Sequence, residues 1–397
     1  MTGSAQPGDI HARVTAVLRG EKPDRIPFID RMELWYKAHV RAGTMPPEFG
    51  GMALTDIHRA IGFGQQRNVF IHRTRLCGVE MISRFEGEVI FHETDPLLED
   101  FPRLYRIVPP DRPGITVTDF ITPRGTLTIR HELLPDMIAS GTVAYKSEHF
   151  LKDASDYPAL EYLLERAEYV PLYERLQDEQ AQIGPAGFVV PLVQRIPFQQ
   201  ILIDYIGEMK LFYWLYDEPQ LIQKLMVLLD ERCVALLESL RDFPCPYVEF
   251  VDNLEGGMTN PRLFREYCLP YYQRYAEILH RQGKKVGSHT DGNLKLLLGL
   301  LAESGLDVCE SFSPAPLTPC TFEEAWRAWR GGPVIWGGIP SPILQADTPE
   351  AEFQTYVHRV LDLVDDQPII LGVGDMVMGN SLIERVRYIA QAVEACG

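Results

Sequence analysis

From Gly187 onward the chain repeats one pattern, a short apolar run followed by a long amphipathic helical stretch. The runs are "GFVVPLV" (187–193), "YVEFVDN" (247–253), "KKVGSH" (284–289), "LDVCESF" (306–312), "PVIWGGI" (333–339) and "PIILGVGD" (368–375). Near-continuous apolar strands separated by helices imply a parallel sheet with both faces covered. These six, with one or two near the N-terminus such as "PDRIPFI", predict a TIM-like (β/α)8 barrel. An open doubly wound sheet is the alternative. No GxGxxG stands at a strand–helix turn, so a dinucleotide site has no support.

The remaining elements follow from local signals. "DIHARVTAVLRGE" reads as the first helix, ended by Gly20. "NPRLFREYCLPYYQRYAEILHRQG" reads as one helix, with Asn260 as N-cap, Pro261 at the first helical position and Gly283 as the stop. Residues of about 80–150 differ from the rest. "ISRFEGEVIFHET", "ITVTDFITP" and "GTLTIRHELL" alternate in the β manner, and "TPRGT" suits a hairpin turn. They predict an N-terminal β-hairpin insertion in a single barrel domain spanning 1–397. A helical stretch over roughly 153–180 follows.

Bulk properties narrow the function. A net charge of −17 over 397 residues argues against a nucleic-acid footprint and against docking on an anionic membrane. No apolar run approaches the roughly 20 residues that cross a bilayer. The start, "MTGSAQPGD", lacks the regions of a signal peptide and reads as a short loose tail, which points to a cytoplasmic protein. The seven cysteines form no CxxC pair, so they read as free thiols with one or two available as ligands.

Polar residues collect at the C-terminal ends of the predicted strands, where a βα barrel carries its active site. "YVEFVDN" ends in Asp252 and Asn253, "KKVGSH" in His289 with Asp291 beyond it, and "PIILGVGD" in Asp375. Each carboxylate has a bland alternative as a helix cap. His289 can hold a metal, hold a substrate or only finish its strand. Asp291 can be a second ligand, orient the imidazole, or make the "DGN" turn. Cys309 and Glu310 are neighbours on a strand and point to opposite faces. An acid in an apolar strand needs a reason, so Glu310 is placed inward. Cys268 shares a helix face with Phe264 and Tyr271, either as a small buried thiol or as a ligand.

These blocks resemble the uroporphyrinogen decarboxylase superfamily, which includes zinc-dependent corrinoid methyltransferases. "HARVTAVLRGEKPDRIPF" is similar to its opening helix and strand. "IGPAGFVVPL" with "FYWLYDEPQLIQKLM" resembles its central block, and "NPRLFREYCLPYYQRYAEILHRQGKKVGSHTDGN" its signature region. "PVIWGGIPS" and "IILGVGDMV" resemble its last strands. The resemblance implies a TIM-like barrel and, in its methyltransferase branch, methyl transfer between a small methylated substrate and a corrinoid (cobalamin) carried by a separate protein. Demethylation of an aryl ether or a methylamine-like compound is the expected activity, with a homodimer expected from the family. The decarboxylase's paired-arginine motif is missing from "IPFIDRMELWYKAHVRAGTMPPEF", which places decarboxylation second.

The resemblance also implies a metal site with an unusual ligand set. The methyltransferases use His-x-Cys on one strand and a cysteine on the last. Here His289 is kept, Asp291 stands at the first cysteine position, and Val373 or Gly374 at the second. Related zinc sites with a glutamate on the next strand, or with a residue upstream of the histidine, point to His289, Glu310 and Cys268. The expected catalytic residues are His289, Asp252 and Asp375, and the expected substrate-binding residues Arg31, Trp35, Tyr36, Phe198, Asp291 and Trp336. For decarboxylation, Arg25, Arg31, Arg41, Arg73 and Arg75 are expected at the mouth. A non-catalytic binding subunit is the third reading.

Overall fold

The computed structural model describes residues 9–364 and 367–396, so the tail read at the N-terminus lies outside the described residues but for Asp9. The chain divides into two compact units. The first comprises Met1–Val69, Glu174–Leu192 and Cys245–Gly397, and the second Phe70–Tyr173 and Val193–Pro244.

The first unit carries the barrel. Its strands are β1 (Ile29–Asp30), β2 (Gly64–Phe70), β3 (Gly187–Val193), β4 (Tyr247–Phe250), β5 (Lys285–His289), β6 (Val308–Phe312), β7 (Val334–Pro340) and β8 (Ile370–Gly374), in that spatial order. A parallel bridge between Phe28 and Leu371 brings the first strand back to the last. The fold is the predicted TIM-like barrel. β2 was not among the predicted strands, because "GQQRNVF" puts Gln65 and Gln66 where an apolar residue was sought; both are nevertheless buried.

Alternation along the strands decides what faces inward. On β4, Phe250 packs against Tyr275 of the helix Leu269–Arg281, with ring centroids 5.7 Å apart. Tyr247 and Glu249 therefore point the other way, into the barrel. Register carries this across the sheet, pairing Glu249 with Gly287 and His289 with Glu310. Gly287 is forced by proximity. A Cβ there would lie 1.9 Å from the Tyr247 hydroxyl.

The signature helix is two helices, Pro261–Tyr267 and Leu269–Arg281, broken at Cys268. Pro270 supplies the break, since it has no N–H to give the Glu266 carbonyl one turn earlier and its ring crowds that carbonyl. The ends match expectation. Asn260 accepts from the N–H groups of Arg262 and Leu263, both at 3.1 Å, and Gly283 adopts φ +74°.

The second unit holds a five-stranded antiparallel sheet, ordered Glu88–Thr94, Glu80–Phe85, Gly114–Thr122, Gly125–Leu133 and Tyr145–Glu148. Phe101, Phe120, Phe150 and Tyr205 form its aromatic core, with centroids 5.2–6.3 Å apart along the series. The stretch 153–180 is not continuously helical. Ala167–Pro171 is a strand, paired antiparallel with His72–Leu76. That long-range pairing overrides the local helical signal. Among the described residues no helix is long and apolar enough to cross a membrane.

Gly287→Ala should destabilise the protein by about 1–3 kcal/mol, the cost of overpacking, because Tyr247 is fully buried and cannot step aside. Urea denaturation will test this; an unchanged midpoint would refute the close-approach account.

Candidate active site

Glu310 is the hub of a charged cluster in the first unit. It is 1% exposed. Its Oε1 accepts from Gln66 Nε2 at 2.8 Å, and its Oε2 pairs with His289 Nδ1. The other ring nitrogen of His289, Nε2, lies 3.6 Å from Asp291 Oδ2. Asp291 is held in turn by Asn253, whose Nδ2 donates at 3.1 Å. The imidazole thus sits between two carboxylates.

Glu249 extends the cluster inward. The Tyr247 hydroxyl donates to its Oε2 at 2.8 Å, while Oε1 is buried without a partner. Ligand atoms of Glu249, His289 and Glu310 all lie within 4.8 Å of one another, and so do those of His289, Asp291 and Asp375. The two groups share His289.

Arg31 supplies the second cation. Its Nη2 donates to the Asp375 carbonyl at 2.8 Å and lies 3.9 Å from the Asp375 carboxylate. Asp30, also buried, accepts from the Val373 N–H at 2.7 Å and so ties β1 to β8. The backbone is strained around this ring. Asn253, Ser311 and Asp375 adopt φ of +54°, +63° and +67°, conformations that cost a non-glycine residue on the order of 1–3 kcal/mol. A bulge in β6 between Cys309 and Phe312 accompanies the Ser311 turn. The Ser311 hydroxyl accepts from the Asp375 N–H at 3.1 Å.

Two cations, Arg31 and His289, thus face the carboxyl groups of Asp30, Glu249, Asp291, Glu310 and Asp375, and the electrostatics split them. Burial opposes charge on Glu310, but His289, Arg31 and the Gln66 amide outweigh it and hold its pKa low. Burial likewise opposes charge on Asp291, yet His289 pulls it to about 2. Glu249 is driven well up by burial and by the Glu310 charge. Burial also raises Asp30 and Asp375, against the pull of Arg31. Burial disfavours the imidazolium, but Glu310 and Asp291 raise His289 well above its ordinary value. The surroundings therefore favour an ionised Glu310 and Asp291 beside a charged His289, and favour the protonated forms of Glu249 and Asp375.

Residues 205–396 match the sequence profile of the uroporphyrinogen decarboxylase (URO-D) family. The expected likeness to the uroporphyrinogen decarboxylase superfamily is thus met over that stretch, just under half of the chain. A methyltransferase from Methanosarcina mazei has the same fold, at 14% identity and a TM-score of 0.55, over 98% of this chain and 99% of that one. A ribulose-1,5-bisphosphate carboxylase/oxygenase from Pyrococcus horikoshii aligns over 59% of this chain and 46% of its own, at 11% identity and a TM-score of 0.31. No curated protein sequence matches the chain.

Within the URO-D match lie Glu249, His289, Asp291, Glu310 and Asp375, whereas Asp30, Arg31 and Gln66 precede it. Of the residues expected from sequence, the cluster gathers His289, Glu310, Asp291, Asp375 and Arg31. Asp252 is elsewhere. It is fully buried and accepts from the hydroxyls of Tyr272 at 2.7 Å and Ser288 at 2.8 Å, on the face of β5 opposite His289. Cys268 falls in neither group of ligand atoms. It sits buried at the helix break beside Tyr272. Trp336 is buried against Phe188 and Tyr247, with centroids 6.0 and 6.3 Å away. Trp35 is buried and donates to the Ser381 carbonyl at 3.2 Å, and the Tyr36 hydroxyl donates to Met52 at 3.3 Å. Phe198 is buried within the second unit. Arg25 pairs with Glu394 and Arg41 is exposed, so neither joins Arg31.

Sequence reasoning missed Glu249, Gln66 and Asp30. The rule that found Glu310, an acid in an apolar strand, also finds Glu249 in "YVEF".

In metal-free protein, long-range ¹H–¹⁵N spectra should show His289 still charged above its ordinary pKa of about 6.5, while His58, pulled to about 4 by burial, is neutral at pH 6. A raised pKa means that the His289 contribution to stability is complete below its unfolded value of about 6.5 and fades as pH rises through the folded one. The Asp291 contribution is present above about 3.9 and fades as pH falls toward 2. A neutral His289 at pH 7 would contradict this charge assignment.

Proposed function

We propose that the chain is a methyltransferase that moves a methyl group between a small methylated substrate and a corrinoid carried by a separate protein, with zinc held by Glu249, His289 and Glu310. The unpartnered Oε1 of Glu249 carries this reading. A buried carboxyl oxygen with no donor is costly, and a cation is the partner it lacks. Nitrogen and oxygen donors at one point suit zinc, although no thiolate joins them. Glu249 thus takes the place expected for Cys268.

Bound zinc would supply a Lewis acid to the heteroatom that loses the methyl group. The protein's own groups complete the site. Gln66 and Arg31 fix the Glu310 carboxylate, and the Tyr247 hydroxyl fixes Glu249. Asp375, partly exposed and with its pKa raised by burial, can donate a proton to a leaving oxygen or nitrogen. Asp291 stays ionised at the rim and favours a neutral or cationic substrate, such as an ether or a methylated amine. The same acid-rich ring disfavours a porphyrinogen bearing many carboxylates, for which Arg31 alone would be too little.

Protein purified without chelators should contain one zinc per chain by elemental analysis. His289→Ala and Glu249→Gln should each abolish it, and Glu249→Gln should fold with undiminished stability in metal-free buffer. With cob(I)alamin as acceptor, methylated amines or ethers should yield methylcobalamin, read by visible absorbance, and both variants should lose that activity. Absence of metal together with absence of methyl transfer would overturn the proposal.

A further inference from the structure

A second charged constellation lies wholly within the second unit. Lys146 is only 6% exposed, and its Nζ lies 3.9 Å from Asp204 Oδ1. Arg195 Nη1 meets the other oxygen, Oδ2, at 3.3 Å. One buried carboxylate therefore serves two cations. The ammonium of Lys146 is otherwise held by carbonyls, Pro102 at 3.0 Å and Asp204 at 3.2 Å.

A third cation adjoins them. The Arg103 guanidinium lies 4.6 Å from the Phe70 ring centroid and 5.8 Å from that of Tyr105. Among the described residues no carboxylate lies within ion-pair distance of it. The nearby Asp100 is buried and spends an oxygen on the Arg106 N–H at 3.1 Å. Ring faces attract a cation but do not neutralise it. Burial, then the neighbouring Arg195 charge, lowers Arg103 to about 10, and burial lowers Lys146 to about 8. Arg103, Lys146 and Arg195 stand against Asp204 and Asp100, so positive charge is in surplus.

An unused buried donor lies elsewhere in the same unit. Gln194, the neighbour of Arg195, is 8% exposed, and its Nε2 has no partner. Its Oε1 accepts from the Tyr169 hydroxyl at 3.4 Å, which leaves the amide group oriented with nothing to bond. Excess cation and an idle buried N–H have one chemical complement, an oxyanion. Space adjoins Lys146, a cavity of about 570 Å³ that also carries Lys152 and Lys210 beside Glu148 and Glu208.

We propose that the second unit binds a compact oxyanion, a carboxylate or a phosphate group, between Arg103, Lys146 and the Gln194 amide, with Asp204 positioning Lys146 and Arg195. This site is independent of the zinc reading, since it shares no residue with the His289 cluster.

The test is titration of the full chain with sodium acetate and with inorganic phosphate, against sodium chloride at equal ionic strength. Isothermal calorimetry and melting temperature are the readouts. At least one anion should raise the melting temperature in proportion to the logarithm of its concentration, as linkage requires. The stronger of the two identifies the ligand as carboxylate or phosphate. R103Q should weaken that binding roughly tenfold or more, as expected for loss of a charge-assisted contact. In chloride its melting temperature should equal or exceed that of the parent, because repulsion is relieved. Q194L gives a second reading should R103Q not fold, with weakened anion binding and no loss of stability in chloride. The proposal falls if neither anion outperforms chloride on the parent protein, or if binding is unchanged in both variants.

Discussion

Placing the Glu310 charge inside the barrel is the constraint on which the site depends. A lone carboxylate there would cost several kcal/mol, so the fold surrounds it with charge and donors drawn from distant parts of the chain. Gln66 reaches it from β2, His289 from β5, and Arg31 acts on it from the end of β1. The strands that carry these groups are brought together only when the barrel closes. Cluster and closure are therefore one event energetically, and losing one partner leaves a buried charge uncompensated.

The cluster divides its acids by environment rather than by residue type. Glu310 and Glu249 are both glutamates on barrel strands, both fully buried, yet one is pushed toward its ionised form and the other toward its protonated form. What differs is the partner. Glu310 receives His289 and the Gln66 amide, while Glu249 receives a single tyrosine hydroxyl and the repulsion of Glu310. The same sorting separates Asp291 from Asp375. Opposed protonation states a few ångströms apart are a common basis for acid–base work and for cation capture. The left-handed turns at Asn253, Ser311 and Asp375 hold the rim in a conformation that ordinary strand ends would avoid.

Most of the barrel was legible in the sequence, because three of the six predicted C-terminal strands (187–193, 333–339 and 368–375) are almost wholly apolar and the other three alternate with long helices. β2 was not, since its buried amides look like loop residues. The strand Ala167–Pro171 was hidden for a different reason; it exists only by pairing with His72–Leu76, and nothing local announces it. At the site, His289, Asp291, Glu310 and Asp375 were readable from their places at strand ends. Asp252 and Cys268 share that chemistry but not that facing. Pleat and helix break turn them toward Tyr272, where both are fully buried. Glu249 was readable by the argument applied to Glu310.

Gly287 and Tyr247 occupy adjacent strands and nearly the same space. Neither position is free to drift alone. A larger residue at 287 fits without strain only if the tyrosine ring is lost, and with the ring goes the hydroxyl that steadies Glu249. In lineages that descend from such a barrel, the two positions should therefore change as a pair. Where they do, the innermost acid loses its tether, and its proton or cation affinity drifts with a substitution that never touches it.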